Sequence, residues 1–215
     1  MIIAIDGPAA SGKGTLSKRI AAELRLAHLD TGSLYRAVGV AVLRAGKDPA
    51  DAAVAAQVAR ALRPDDGILA DPELRTDEAA QAASKVAVVP EVRSALLDFQ
   101  RTFAAVPPGG APGVVLDGRD IGTVVCPDAQ AKLFVTASVE VRAERRLKEL
   151  RERGIPAIPS DVLEDMKARD ARDSQRAVAP LKPADDAFVL DTSDLDADAA
   201  LARALAFLRD RLTGR

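Results

Sequence analysis

The 215-residue chain has one cysteine, one histidine and no asparagine. Each scarcity excludes something. Cys126 has no partner for an internal disulfide, and with His28 alone it cannot build a zinc cage, so a reducing compartment and no structural metal are expected. Both side chains read as bystanders. The guanine-reading loop of GTPases is Asn-Lys-x-Asp, and a chain without asparagine carries no GTP switch of that kind. Basic residues are not in excess, with 30 Lys and Arg against 32 Asp and Glu, which argues against a general affinity for nucleic acid polymers or anionic membranes. No apolar run approaches the roughly 18 residues that span a bilayer, and no basic leader with an apolar core opens the sequence. A cytoplasmic protein with small-molecule partners is the expectation. Aromatic residues are only 3% of the chain, so the core must be aliphatic, which a hydrophobic content of 48% allows.

At this length one domain is expected. Short aliphatic runs bounded by turn residues alternate with longer stretches of helical period, the pattern of an α/β protein with a parallel sheet covered by helices. Strands are expected at Ile2 to Asp6, Ala27 to Asp30, Val114 to Asp117, Lys132 to Thr136 and Ala187 to Leu190. Helices are expected near Lys13 to Leu24, Ser33 to Ala45, Asp51 to Leu62, Asp77 to Val88, Glu91 to Ala104, Ser138 to Arg153, Ser160 to Arg172 and Asp196 to Leu212. Three Pro and three Gly between Pro107 and Gly113 predict a surface connection that is neither helix nor strand. The alternation breaks at Arg63 to Val89, which has Pro64 and Pro72 and a short expected hairpin, and at Gly154 to Ser160. Both read as insertions able to close over a ligand.

The run Gly7, Pro8, Ala9, Ala10, Ser11, Gly12, Lys13, Gly14, Thr15 follows the first strand and opens a helix, the context in which a phosphate-binding loop is credible. Glycines let backbone N–H groups turn inward, the helix N-terminus adds partial positive charge, and Lys13 brings a mobile cation to the transferring phosphoryl. With a GTP switch excluded, ATP is the expected triphosphate. The general pattern has Ser or Thr directly after the lysine, whereas Gly14 stands before Thr15 here, as in nucleoside monophosphate kinases and related small-molecule kinases.

Asp30-Thr31-Gly32-Ser33-Leu34-Tyr35-Arg36 follows the second strand and starts a helix, which suits a second phosphate. Asp117-Gly118-Arg119-Asp120 follows the buried run Val114 to Leu116, at a strand end where open α/β sheets bind ligands. Asp117 takes the place of a carboxylate that holds Mg²⁺, directly or through water. Arg169, Arg172, Asp173 and Arg176 are spaced to share one helix face, and Arg142, Arg145 and Arg146 form a similar cluster on the preceding helix.

The stretches GPAASGKGT, LDTGSLYR, RTDEAAQAASKVAVVPEVR, LDGRDIGTVV and RDARDSQRAVAPL, in this order, closely resemble bacterial cytidylate kinases over nearly the whole chain. The first is widely shared among nucleotide-binding proteins; the other four are fairly specific. The resemblance implies a P-loop kinase core with a five-stranded parallel sheet, a nucleoside-monophosphate-binding insertion at about residues 63–93 and a lid at about 154–176. It implies ATP-dependent phosphorylation of CMP and dCMP with Mg²⁺ carried by ATP, through Asp117 or Thr15, in a monomer. Lys13, Asp117, Arg119 and Arg176 would be catalytic, and Arg145 would join the loop in binding ATP. Arg36, Arg119 and Arg176 would hold the acceptor phosphate, Arg169 and Asp173 the pentose. Ser84, Arg93 and Asp120 would read cytosine, with Thr31 and Tyr35 lining the pocket. One departure is the insertion, short beside the family's usual one.

Chemistry supports the base assignment independently. A carboxylate and a hydroxyl accept from the cytosine 4-amino group while an arginine donates to O2 and N3, and the O4 of uracil would set acceptor against acceptor. Rival readings are a kinase for UMP, AMP or shikimate, and a nucleotide-binding regulatory module without catalysis. The lid is expected to bring Arg169, Arg172 and Arg176 inward and keep water from the γ-phosphate.

Overall fold

A computed structural model describes residues 1–63 and 67–213. Five strands, β1 (Ile2–Asp6), β2 (Ala27–Asp30), β3 (Val114–Gly118), β4 (Ala131–Thr136) and β5 (Phe188–Asp191), form one all-parallel sheet in the order β2-β3-β1-β4-β5. Their near-continuous aliphatic runs fit a sheet covered on both faces. Eight α-helices are described with it, besides shorter helical turns: α1 (Lys13–Leu24), α2 (Thr31–Arg44), α3 (Ala52–Ala61), α4 (Asp77–Val86), α5 (Pro90–Ala105), α6 (Val139–Glu152), α7 (Pro159–Gln175) and α8 (Ala197–Thr213).

Local chemistry sets the ends. Asp51 caps α3 by accepting from Ala53 N and Val54 N, and Thr76 caps α4 by accepting from Ala79 N at 3.1 Å. Pro90 and Pro159 open α5 and α7, where a missing N–H costs nothing. One core layer joins Ile3, Ile5 and Leu133 to Ile20 of α1 and Leu208 of α8; on the opposite face Ala4, Leu116 and Ile121 meet Phe99 and Phe103 of α5. A third cluster, with Leu34, Val38, Val86 and Leu96, joins α2, α4 and α5 beside the sheet. Within it α2 and α4 cross so closely that a Cβ on Gly39 would stand 2.7 Å from Ala82 Cβ.

The structure corrects several expectations. In place of a hairpin, the described part of Arg63 to Val89 holds two 3₁₀ turns, Ile68–Ala70 and Pro72–Arg75, followed by α4. Asp71 accepts from Glu73 N and Pro72 takes the first turn position, which favours helical closure over strand pairing. Pro64 and the two residues after it lie outside the described residues. The connection at 107–113 contains a 3₁₀ turn at Pro108–Gly110, with Gly109 and Gly110 at positive φ. Helix α2 begins at Thr31 rather than Ser33, and β5 runs one residue later than expected. After β3 the backbone forms a π-helical turn, Ile121–Val125, pinned by Asp6, whose carboxylate accepts from Ile121 N and Gly122 N at 2.8 Å each.

Candidate active site

In this sheet β1 is flanked by β3 on one side and β4 on the other, so the order reverses there and a crevice opens beyond its C-terminal end. The loop from Gly7 to Gly12 fills it and runs into α1 at Lys13. A Cβ on Gly7 would stand 2.0 Å from the Val135 carbonyl oxygen, so only glycine lets the loop pass β4 at this distance. Two clefts lie on either side of the loop.

The first encloses about 550 Å³ and collects every residue assigned to the acceptor nucleotide. Thr31, Tyr35 and Arg36 come from α2, Ser84 and Arg93 from α4 and α5, Arg119 and Asp120 from the turn after β3, and Arg169, Asp173 and Arg176 from α7 and its end. Arg176 is not on the helix face: it is the first residue beyond α7, with φ −63° and ψ 140°. Lys13 enters the same cleft from the loop. The floor is a network of ion pairs. Arg36 donates to Asp30 at 2.5 Å, Arg119 to Asp173 at 3.0 Å, and Arg93 pairs with buried Asp120 while lying over the Tyr35 ring at 5.4 Å.

Cations nevertheless outnumber acids in this cleft, with six Lys and Arg side chains against three carboxylates. Arg169 Nε and Arg176 Nη2 are buried without a hydrogen-bond partner among the described residues. Burial, and Arg119 nearby, push the Arg169 guanidinium down to about 10, and burial first, then Arg119, lowers Lys13 to about 8. A buried cation short of partners is costly, and an incoming phosphate relieves several at once. The cleft therefore carries an excess of positive charge.

The second cleft encloses about 660 Å³ between the loop and the start of α8. Ser11, Gly12 and Thr15 meet Leu16, Leu195 and Ala197 there, an apolar slot suited to a flat nucleobase beside a phosphate loop. Arg145 lines it, donating to Thr192 Oγ1 at 3.0 Å and to the Thr192 carbonyl at 2.6 Å. Thr192 in turn donates to the Ser11 carbonyl. The sequence reading missed Thr192, Leu195 and Ala197; the polar run Thr192 to Asp194 directly after β5 was the available signal.

Asp117 lines neither cleft; Lys13 Nζ stands 3.8 Å from one of its carboxylate oxygens and His28 Nε2 2.9 Å from the other. His28, expected as a bystander, thus has a buried polar partner that the sequence did not indicate. Cys126 is buried and unpaired, its thiol pushed up by burial, and touches neither cleft. For Mg²⁺ the donor set fits. One buried carboxylate and the exposed hydroxyl of Thr15 offer hard oxygens, and Mg²⁺ normally takes one or two protein ligands plus phosphates and water. Among the described residues no group of three or more His, Cys, Asp or Glu side chains is placed to hold a metal ion.

Comparison with known proteins gives the site a context. The family model described as cytidylate kinase matches residues 3–210. The chain is 70% identical over 207 residues to the cytidylate kinase of Paramagnetospirillum magneticum, covering 96% of this chain and 97% of that protein. It is 64% identical to that of Rhodospirillum rubrum, covering 97% of both. A solved structure of an uncharacterized protein from Eubacterium ventriosum shares the fold alone, at 13% identity and TM-score 0.53, covering 97% of this chain and 98% of that one.

Proposed function

The chain belongs to the cytidylate kinase family, and from that premise we propose how its two clefts divide the work: the Lys13 side receives the acceptor monophosphate, the Thr192 side the donor nucleoside. The reaction is ATP-dependent phosphorylation of CMP and dCMP to the diphosphates. The observation that carries the division is the partnerless nitrogen on each of Arg169 and Arg176 in the cleft that also holds Ser84, Arg93 and Asp120.

A phosphate dianion already carries its nucleophilic oxygen, so the protein has to align two nucleotides and spread negative charge rather than supply a base. Loop amides from Gly7 to Gly14 hold the β- and γ-phosphates, with the adenine in the slot of Leu16, Leu195 and Ala197 and Arg145 along its edge. Arg36, Arg119 and Arg176 grip the acceptor phosphate; Arg169 and Asp173 meet the pentose. Ser84, Arg93 and Asp120 face the cytosine edge, beside Tyr35 and Thr31. Lys13, which lines the acceptor cleft and opens α1, moves with the phosphoryl group between the two. Asp117 and Thr15 are the side chains that would hold a Mg²⁺ carried with ATP, which would supply neutralisation of charge on the transferring phosphoryl. The insertion at about 63–93 and the segment at about 154–176, α7 included, act as the acceptor-binding arm and the lid that keep water out. A cytoplasmic monomer with ATP and cytosine monophosphates as partners fits this reading, and among the described residues no helix is long and apolar enough to cross a membrane.

The test is ADP formation from Mg-ATP with CMP, dCMP, UMP and AMP side by side, repeated with Arg176→Ala. CMP and dCMP should be turned over fastest, and the variant should lose acceptor affinity without losing ATP affinity. An Arg176→Ala enzyme with unchanged CMP turnover would remove this assignment of the clefts.

A further inference from the structure

Helix α7 and the residue after it carry four charged side chains at or beside the acceptor cleft, and their partners differ. Asp173 accepts from Arg119, Arg176 stands 3.8 Å from Asp120, and Arg169 keeps a free Nε. Arg172 instead crosses to α4, where its Nε donates to Ser84 Oγ at 3.1 Å and its Nη2 reaches Gln81 Oε1 at 3.4 Å. It forms no ion pair among the described residues. Gln81 and Ser84 lie three positions apart on one face of α4, so a single guanidinium joins one turn of α4 to one turn of α7.

The hydroxyl of Ser84 has one proton and two lone pairs, and a guanidinium has donors only. With one lone pair taken by Arg172, the Ser84 proton cannot point back at it. Ser84 is buried and lines the cleft beside Arg93 and Asp120, and its hydroxyl has no other hydrogen-bond partner among the described residues, so the proton and the remaining lone pair are left available to a ligand there. We propose that Arg172 is a positioning residue for the acceptor: it sets the Ser84 hydroxyl toward the pyrimidine edge and latches α7 onto α4 around the base. The inference rests on reading this cleft as the cytosine monophosphate site. Because the latch acts on the base, it governs acceptor KM and the choice among pyrimidines and leaves the donor side alone.

A double-mutant cycle on the full chain tests it, with Arg172→Ala, Ser84→Ala and the pair, reading KM and kcat for CMP and UMP and KM for ATP. Arg172→Ala should raise the CMP KM roughly tenfold or more, as expected for losing a hydrogen bond from a charged donor, and lower the CMP-to-UMP preference with ATP KM unmoved. In the Ser84→Ala background most of that loss should vanish, because the positioned group is gone. Arg172→Lys keeps the charge but not the directed Nε–H, so it should show a smaller loss of the same kind, and its own cycle with Ser84→Ala decides the matter if the alanine variant does not fold. Additive losses, or an unchanged CMP KM, overturn the latch. A wild-type protein that fails to phosphorylate CMP would instead overturn the reading of the cleft itself.

Discussion

The ammonium of Lys13 stands 3.8 Å from Asp117 Oδ1, close enough to be attracted and too far for a full hydrogen bond. Burial and the nearby Arg119 outweigh that attraction and bring Lys13 down to about 8. The free protein therefore begins to lose this charge in mildly alkaline solution, whereas a bound triphosphate restores it. ATP binding should take up a proton at pH 8 to 9 and little at pH 6.5, and ATP should bind more weakly as pH rises through about 8. Calorimetry in buffers of different ionisation heat reads the proton directly. Binding with no proton uptake at any of these pH values would contradict the shift.

Asp120 pairs with Arg93 and lies 3.8 Å from Arg176, so in the proposed arrangement one carboxylate would serve both the base edge and the phosphate end of the cleft. Removing it outright would strand a buried guanidinium at a cost of about 3–5 kcal/mol, which mixes stability with recognition. Asp120→Asn keeps the shape and reverses part of the hydrogen-bonding pattern. It should cut kcat/KM for CMP by roughly a hundredfold while UMP changes far less, since an amide can donate to the uracil O4. Steady-state kinetics on both nucleotides checks this; equal losses would take Asp120 out of base recognition.

The elements and most of the site could be read from the residues because each carries a strong local signal. The loop from Gly7 to Thr15 follows a buried strand, and the basic and acidic residues after β2 and β3 sit where strand ends gather ligands. The second cleft was harder to see. Leu195 and Ala197 are ordinary apolar residues, and only the folding of β5 beside β4 brings them against Gly12 and Thr15. His28 was misjudged for the same reason: its partner Asp117 is 89 residues away, and only the pairing of β2 with β3 brings them together. The hairpin expected near Pro72 failed because two prolines suggest a turn but do not say whether strands flank it.

Asp6 links β1 to the turn that carries Arg119 and Asp120. Burial raises its carboxyl from 3.8 to about 7, against the two backbone N–H groups that it accepts from. With the folded value above the unfolded one, this contribution to stability is complete below pH about 4 and is lost as pH rises toward 7. The wild type should therefore lose on the order of a few kcal/mol from this group across that window. Asp6→Asn cannot titrate and leaves one N–H facing an amide donor, so it should be less stable by about 1–3 kcal/mol at low pH and show a flatter pH dependence. Thermal melts of both proteins from pH 4.5 to 8 compare the slopes; parallel curves would mean Asp6 stays ionised throughout.

The crossing of α2 and α4 at Gly39 offers a way to disturb one cleft and spare the other. A methyl there would meet Ala82 Cβ at 2.7 Å and the Ala82 carbonyl carbon at 3.0 Å, so backbone as well as side chain must shift. Gly39→Ala should push α4 outward and carry Ser84 away from Tyr35 and Arg36, both fixed on α2. Overpacking of this size costs about 1–3 kcal/mol, partly offset by the better helix propensity of alanine. The CMP KM should rise severalfold, while the ATP KM stays near the wild-type value because Leu16, Thr192 and Leu195 are untouched. If both constants rise together, the two clefts are mechanically joined through α2, and the division of labour between them has to be abandoned.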